Sequence, residues 1–215
     1  VGETRVAVWD LPVRLFHWLL AALIAAAWWT GEHEMVEWHY RAGLAILGLL
    51  VFRLVWGFIG SSTARFSGFV RGPRAILDYL RGRSAFTLGH NPLGALSVLA
   101  LLGLVAAEVG LGLFASDEDG FLTGPFAAFV GDETAERLTG VHEELFDYLV
   151  VMVAIHVAAI LWYLVVRRKN LLRPMITGTG DAPAATEPMR PAGAGRLLAA
   201  AAIAAAVVYV VGWVL

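Results

Sequence analysis

VHEELFDYLVVMVAIHVAAILWYLVVRRK, residues 141–169, is the stretch from which this chain is best read. It is one apolar run holding two histidines, His142 and His156, fourteen residues apart. At about 100° and about 1.5 Å per residue, fourteen steps make nearly four helical turns and about 21 Å of rise. Both imidazoles therefore point the same way, one toward each end of a membrane-length helix. A histidine inside a membrane helix is costly, so it faces the bundle and carries a task. Two on one stripe imply two sites, and each needs a partner from elsewhere in the chain.

The composition suits that reading. Of 215 residues, 59% are hydrophobic, and the mean hydropathy is +0.70, a membrane composition. The chain has no cysteine, which excludes disulfides, thiolate-held iron–sulfur clusters and haem attached through cysteines. The first apolar run, Leu15 to Thr30, is sixteen residues long and ends in Trp28 and Trp29, an aromatic belt. Its helix is expected to start near Leu11, with Pro12 in the first turn and Arg14 snorkelling. No small-x-small cleavage pattern precedes Gly31, so the run is read as a retained span and not as a signal peptide.

Further runs follow from about Trp38 to Ile59, from Pro92 to about Phe114 behind the cap Asn91, in the opening stretch, and from Leu197 to Leu215. Between the second and third, a polar segment carries Arg65, Arg71, Arg74, Arg81 and Arg83 against Asp78, and Pro73–Leu80 reads as a short interfacial amphipathic helix. Residues 177–195 read as a linker rich in Gly, Ala, Pro and Thr. The expected organisation is a four-helix membrane domain over 1–176, that linker, and an additional helix over 196–215, an all-α membrane protein with neither an internal repeat nor a soluble domain.

Arginine-rich segments fall on one side of these spans and acidic loops on the other. The excess of basic residues places the N-terminus in the cytoplasm and the acidic loops outside. His17 then lies toward the inner end of the first helix and His39 at the outer start of the second. His17 to Thr30 is about 20 Å of helix, close to the His142–His156 rise. Depth pairs His17 with His156 and His39 with His142. Two histidine pairs at two depths fit two b-type haems, and bis-histidine ligation favours electron transfer over oxygen binding. Gly43, four residues after His39, would let a porphyrin approach the backbone. Met152 is a packing residue and not an axial ligand. The competing readings are hydrogen-bonded helix contacts, a metal other than haem, or a proton relay.

VWDLPVRLFHW, WHYRAGLAILGLLVFRLVWGFIGS, ARFSGFVRGPRAILDYL, GHNPLGAL and the His142/His156 helix followed by NLLRPMITG together resemble the bacterial cytochrome b561 family, which includes the b-type cytochrome subunits of nickel–iron hydrogenases. The resemblance covers about residues 7 to 178. It implies a four-helix core with two b haems on His17, His39, His142 and His156, exchanging electrons between a quinone pool (ubiquinone or menaquinone) and a redox partner. The last helix lies outside it.

Other residues have two readings each. His33 competes with His39 for the outer position but sits in a polar loop. His90 either ties its loop to the next helix or exchanges protons beside a quinone. Arg14 and Arg53 snorkel, or pair with propionates of the inner haem as cofactor-binding residues. Glu108 is an interhelical hydrogen-bonding acid or part of a proton path. The loop arginines contact lipid headgroups.

The acidic outer side, Glu32, Glu34, Glu37, Asp117, Glu118, Asp119, Asp132, Glu133, Glu136, Glu143 and Glu144 against Arg41 and Arg137, would steer a basic periplasmic redox protein such as a c-type cytochrome. The chain lacks a nucleotide-binding fingerprint, and no nucleic-acid partner is expected. The last helix is a plain anchor or a homo-oligomer contact. The rival functions are a superoxide oxidase-like quinone reductase, the membrane anchor of a hydrogenase-type complex, and a haem-free transporter or structural protein.

Overall fold

A computed structural model describes residues 2–116 and 123–213 of the chain. Asp117, Glu118 and Asp119 of the acidic loop lie outside the described residues. The elements in order are strand β1 (Glu3–Ala7), helices α1 (Leu11–Glu32), α2 (Val36–Ile59), α3 (Phe66–Phe69), α4 (Pro73–Leu80), α5 (Pro92–Gly112) and α6 (Asp132–Val165), helix α7 (Leu172–Thr177), strand β2 (Thr179–Pro183) and helix α8 (Ala194–Trp213). Five of these, α1, α2, α5, α6 and α8, are long and apolar enough to cross a membrane. Their exposed side chains include Trp28, Trp29, Val151, Ile155, Leu161 and Trp162. Apolar surface on that scale has a place only against lipid.

The helix starts follow local chemistry. Asp10 Oδ1 accepts the Val13 N–H at 2.8 Å, capping α1 just where Pro12 needs no partner. Asn91 Oδ1 accepts the Gly94 N–H at 2.7 Å and does the same for α5. Helix α4 has the bounds that Pro73 and the charge pattern imply.

Helix α6 begins at Asp132, nine residues before the apolar run does. Gly131, at φ +77°, turns the chain into it, and Asp132 and Glu133 complement the positive helix end. The early turns are held by packing: Ala135 is 1% exposed, and the Thr139 hydroxyl accepts the Ser116 N–H at 2.9 Å and lies 2.8 Å from the Ser116 carbonyl. These residues were expected to be loop.

The chain divides into two compact units. The first gathers the chain through His17, Arg53–Ala100 and Ala154–Ala200; the second gathers Trp18–Phe52, Leu101–Val153 and the chain from Ala201. In the second unit, Ile46 and Leu50 of α2, Val105 of α5 and Leu149 of α6 form a buried cluster, joined by Leu20, Leu23 and Ile24 of α1. Four helices thus share one core, as the sequence implies. The fifth packs outside it: a Cβ built on Gly48 of α2 would stand 3.0 Å from Val208 of α8, and one on Gly212 of α8 would stand 3.6 Å from Leu44. The stripe Ala204 and Val211 is buried there.

In the first unit, Asp10 is buried with both oxygens engaged, since Oδ2 accepts the Trp56 indole N–H at 2.9 Å. The stretch expected to be a linker is structured there. Strand β2 pairs antiparallel with β1 from Glu3↔Pro183 to Ala7↔Thr179. Beyond it, the Met189 N–H reaches the Ala7 carbonyl at 2.9 Å and the Ser62 N–H reaches the Arg190 carbonyl at 3.0 Å. The chain before α1 is therefore a sheet strand, and residues 179–190 are fastened to it and to the end of α2.

Candidate functional site

Each unit contains one histidine pair. In the first, the rings of His17 on α1 and His156 on α6 stand 6.4 Å apart, centroid to centroid, at 46°. In the second, His39 on α2 and His142 on α6 stand 6.1 Å apart at 89°. All four are half-buried. The pairing is the one that matched depth implies. On α6, His142, Phe146, Leu149, Met152 and His156 are the less exposed positions between exposed neighbours, so the two histidines share its inward stripe.

The separation has chemical meaning. A metal–imidazole bond is about 2 Å long and the ring centroid lies about 1 Å behind its nitrogen, so two axial imidazoles on one metal stand about 6 Å apart. Rings packed directly on one another come closer, as Trp29 and His33 do at 4.0 Å. Among the described residues no group of three or more His, Cys, Asp or Glu gathers to hold a bare ion. Each pair offers two ligands only, the number that a metal already held by a planar macrocycle requires. The Cβ position of Gly43 has no atom within 4 Å, so the backbone there is open to a flat ligand. The residues fit haem.

In the second unit the tautomers are set by the fold. His39 Nδ1 lies 2.8 Å from the Ala27 carbonyl on α1, and His142 Nδ1 lies 2.9 Å from the Glu108 carbonyl on α5. A carbonyl only accepts, so each Nδ1 carries the proton and each Nε2 keeps its lone pair for a metal. Two glycines missing from the sequence reading make room for these rings. A Cβ on Gly31 would stand 3.2 Å from His39 Nδ1, and one on Gly112 would stand 3.3 Å from His142 Cε1. Nothing local marks either glycine, because the ring each accommodates comes from another helix.

The remaining candidates separate. His33 is exposed in the turn after α1, stacks on Trp29 and bonds the Trp29 carbonyl in the last turn of that helix, so it does not join the pair. Glu108 is buried, with Oε1 3.4 Å from His142 Nδ1 and Oε2 without a hydrogen-bond partner. Arg53 is 3% exposed; its guanidinium lies over the Phe66 ring at 4.9 Å, and its Nη1 is buried without a hydrogen-bond partner. Arg14 is half-buried and its Nε is left in the same condition. Both arginines lie in the unit of His17 and His156. His90 sits between Trp9 at 4.6 Å and Phe69 at 4.7 Å. It lines a cavity of about 250 Å³ with Arg71, Phe86, Thr87 and Pro92.

Membrane-length helices that bring imidazoles together in pairs about 6 Å apart are the architecture of a membrane cytochrome of the b type. The chain belongs to the prokaryotic cytochrome b561 family, whose model matches residues 8–178. Helix α8 lies beyond the match. The chain is similar to the probable Ni/Fe-hydrogenase B-type cytochrome subunit of Azotobacter vinelandii, 24% identical over 220 residues that cover 82% of this chain and 88% of the relative. It is 25% identical, with the same coverage, to the protein of that description from Azotobacter chroococcum mcd 1. No solved structure matches it. It is a multi-pass membrane protein of a family that carries haem b.

Proposed function

We propose that the chain is a di-haem electron carrier of the bacterial inner membrane, with its N-terminus in the cytoplasm. It passes electrons between ubiquinone or menaquinone and a redox partner outside. The observation that carries this is the separation of the ring pairs, 6.4 Å for His17/His156 and 6.1 Å for His39/His142, the spacing of two imidazoles on one iron. Haem b held there supplies reversible one-electron chemistry. His17 with His156 and His39 with His142 would be the residues that hold the irons, a ligand set that would favour electron transfer over oxygen binding. His39 and His142 are held in the ligating tautomer, and Arg14 and Arg53 offer cationic donors to propionates in the other unit.

The partner follows from charge. In the second unit Arg41 and Arg137 are each engaged by a neighbouring acid, Glu37 at 2.7 Å and Glu133 at 2.6 Å. Glu32, Glu34, Glu136, Glu143 and Glu144 leave that end negative, which suits a basic c-type cytochrome. A second reading, the membrane subunit of a hydrogenase-type complex, is favoured by the likeness to two probable Ni/Fe-hydrogenase B-type cytochrome subunits.

The test is haem quantitation with a reduced-minus-oxidised spectrum on the purified chain, on His39→Ala and on His156→Ala. Two b haems in the parent and one in each variant support the reading. A colourless chain, or haem indifferent to both substitutions, overturns it. Copurification with an iron–sulfur protein decides for the hydrogenase-type complex; a monodisperse chain that reduces cytochrome c with quinol decides for the free carrier.

A further inference from the structure

The buried side-chain atoms of the first unit with no hydrogen-bond partner include Arg53 Nη1, Arg14 Nε and His90 Nδ1, besides the Ser61 hydroxyl. A buried polar atom left in that state costs on the order of 1–3 kcal/mol, so three together point to an acceptor that the polypeptide does not supply. The unit's buried acid, Asp10, has both oxygens committed to Val13 and Trp56.

Ring contacts lead from Arg53 to His90 and on to Trp9. The Arg53 guanidinium lies over Phe66, Phe66 meets Phe69 at 5.8 Å, and Phe69 meets His90. His90 meets Trp9 on its other side. The Trp9 carbonyl and Arg14 Nη1 crowd the same point beside Gly178, 3.0 Å and 2.6 Å from where a Cβ would stand. Arg14 is one turn before His17 on α1, so this group of donors starts beside the histidine pair.

We propose that Arg14, Arg53 and His90 together seat the two carboxylates of the cofactor held by His17 and His156, with His90 as a third donor. The proposal rests on the di-haem reading above. Its new element is the role of His90, which is thereby a positioning residue for the cofactor and not a proton carrier for a quinone.

Charge and chemistry agree with the assignment. Two guanidinium groups are available to two propionates, and a planar fork suits a carboxylate. Burial first, then Arg53 and His156, push the His90 imidazole down to about 3. The ring's part there is that of an N–H donor. Trp9 and Phe69 clamp the ring and fix the direction in which it donates.

The experiment is a spectroelectrochemical titration of the purified full-length chain, comparing the parent with His90→Phe, His90→Gln and Arg53→Met. His156→Ala and His39→Ala identify which haem is which. His90→Phe is expected to lower the midpoint of the haem that His156→Ala removes by at least threefold in the redox equilibrium. Arg53→Met is expected to lower it tenfold or more, 59 mV for one electron. His90→Gln, which still donates, should restore most of the His90→Phe shift, and the other haem should hold its midpoint in all three.

If His90→Phe leaves both midpoints within threefold, the assignment is overturned, and a raised KM for quinol in that variant would instead make His90 part of a quinone site. If His156→Ala retains both haems, the pairing beneath the proposal fails, and the two failures are told apart by that control.

Discussion

His142 donates its Nδ1 proton to the main-chain carbonyl of Glu108, 2.9 Å away on a different helix. His39 does the same to Ala27 at 2.8 Å. The backbone is thus the part of the fold that chooses which nitrogen of each ring faces inward, and side-chain substitutions on α1 and α5 leave that choice intact. Adding bulk beside the rings does not. Gly112→Ala places a methyl 3.3 Å from His142 Cε1, too close by a few tenths of an ångström. It should cost roughly 1–3 kcal/mol as overpacking and release one haem in preference to the other. Haem quantitation on Gly112→Ala and on Gly31→Ala checks this; two full haems in both variants would show that the rings have room to spare.

Gly178 has φ +84°, and a Cβ there would meet Arg14 Nη1 and the Trp9 carbonyl. Gly178→Ala therefore combines backbone strain with displacement of Arg14, on the order of 1–3 kcal/mol. The expected outcome is a lower thermal midpoint in detergent, with loss of the haem assigned to His17/His156 before that of His39/His142. Equal loss of both would detach Arg14 from the first site.

Tyr79 on α4 shares a hydrogen bond with the hydroxyl of Tyr163, which also accepts from the Asn91 amide at 3.3 Å. Burial first, then that bond, raise the Tyr79 phenol to about 12. An unfolded phenol ionises near pH 10. The folded chain therefore keeps a proton that the unfolded chain has lost, and the contribution of Tyr79 is complete below pH 10 and disappears between pH 10 and about 12. Tyr79→Phe should flatten that alkaline loss and cost about 1 kcal/mol or less at neutral pH. Thermal midpoints taken across the alkaline range decide; parallel curves for parent and variant would remove Tyr79 from the account.

The acidic end of the second unit should make electron transfer to a lysine-rimmed c-type cytochrome sensitive to salt. Attraction between exposed charges is screened beyond a Debye length of about 8 Å at physiological ionic strength. Stopped-flow association rates should fall about tenfold from low to physiological salt, and Glu136→Lys should lower the low-salt rate while leaving the high-salt rate nearly unchanged. A salt-independent rate would argue for a partner recognised by apolar contact.

What the sequence discloses is what is local or periodic. Span lengths, the Asp10–Pro12 and Asn91–Pro92 starts, and the bounds of α4 each depend on a few adjacent residues. The fourteen-residue interval between His142 and His156 fixes one stripe whatever surrounds it, and helix rise then matches His17 and His39 to it. What stays hidden is non-local. Thr179–Pro183 contains Gly, Asp and Pro and has little strand propensity; it is a strand because Glu3–Ala7 lies beside it. Residues 132–140 are polar and end in Gly140, so hydropathy stops at Val141, whereas Ala135 and Thr139 extend the helix through tertiary contact. Gly31 and Gly112 are legible only once the histidines of other helices are placed beside them.

The pairing of β1 with β2 also sets an order of assembly. β1 precedes every span, while its partner emerges only after every span but the last has been made. During synthesis the strand before α1 stays unpaired, and the β-clasp can close only once Thr179–Pro183 has been made. A nascent chain stopped short of Thr179 would carry its spans and both histidine pairs with that clasp still open, and proteolysis of the N-terminal strand in such arrested chains would register the moment of closure.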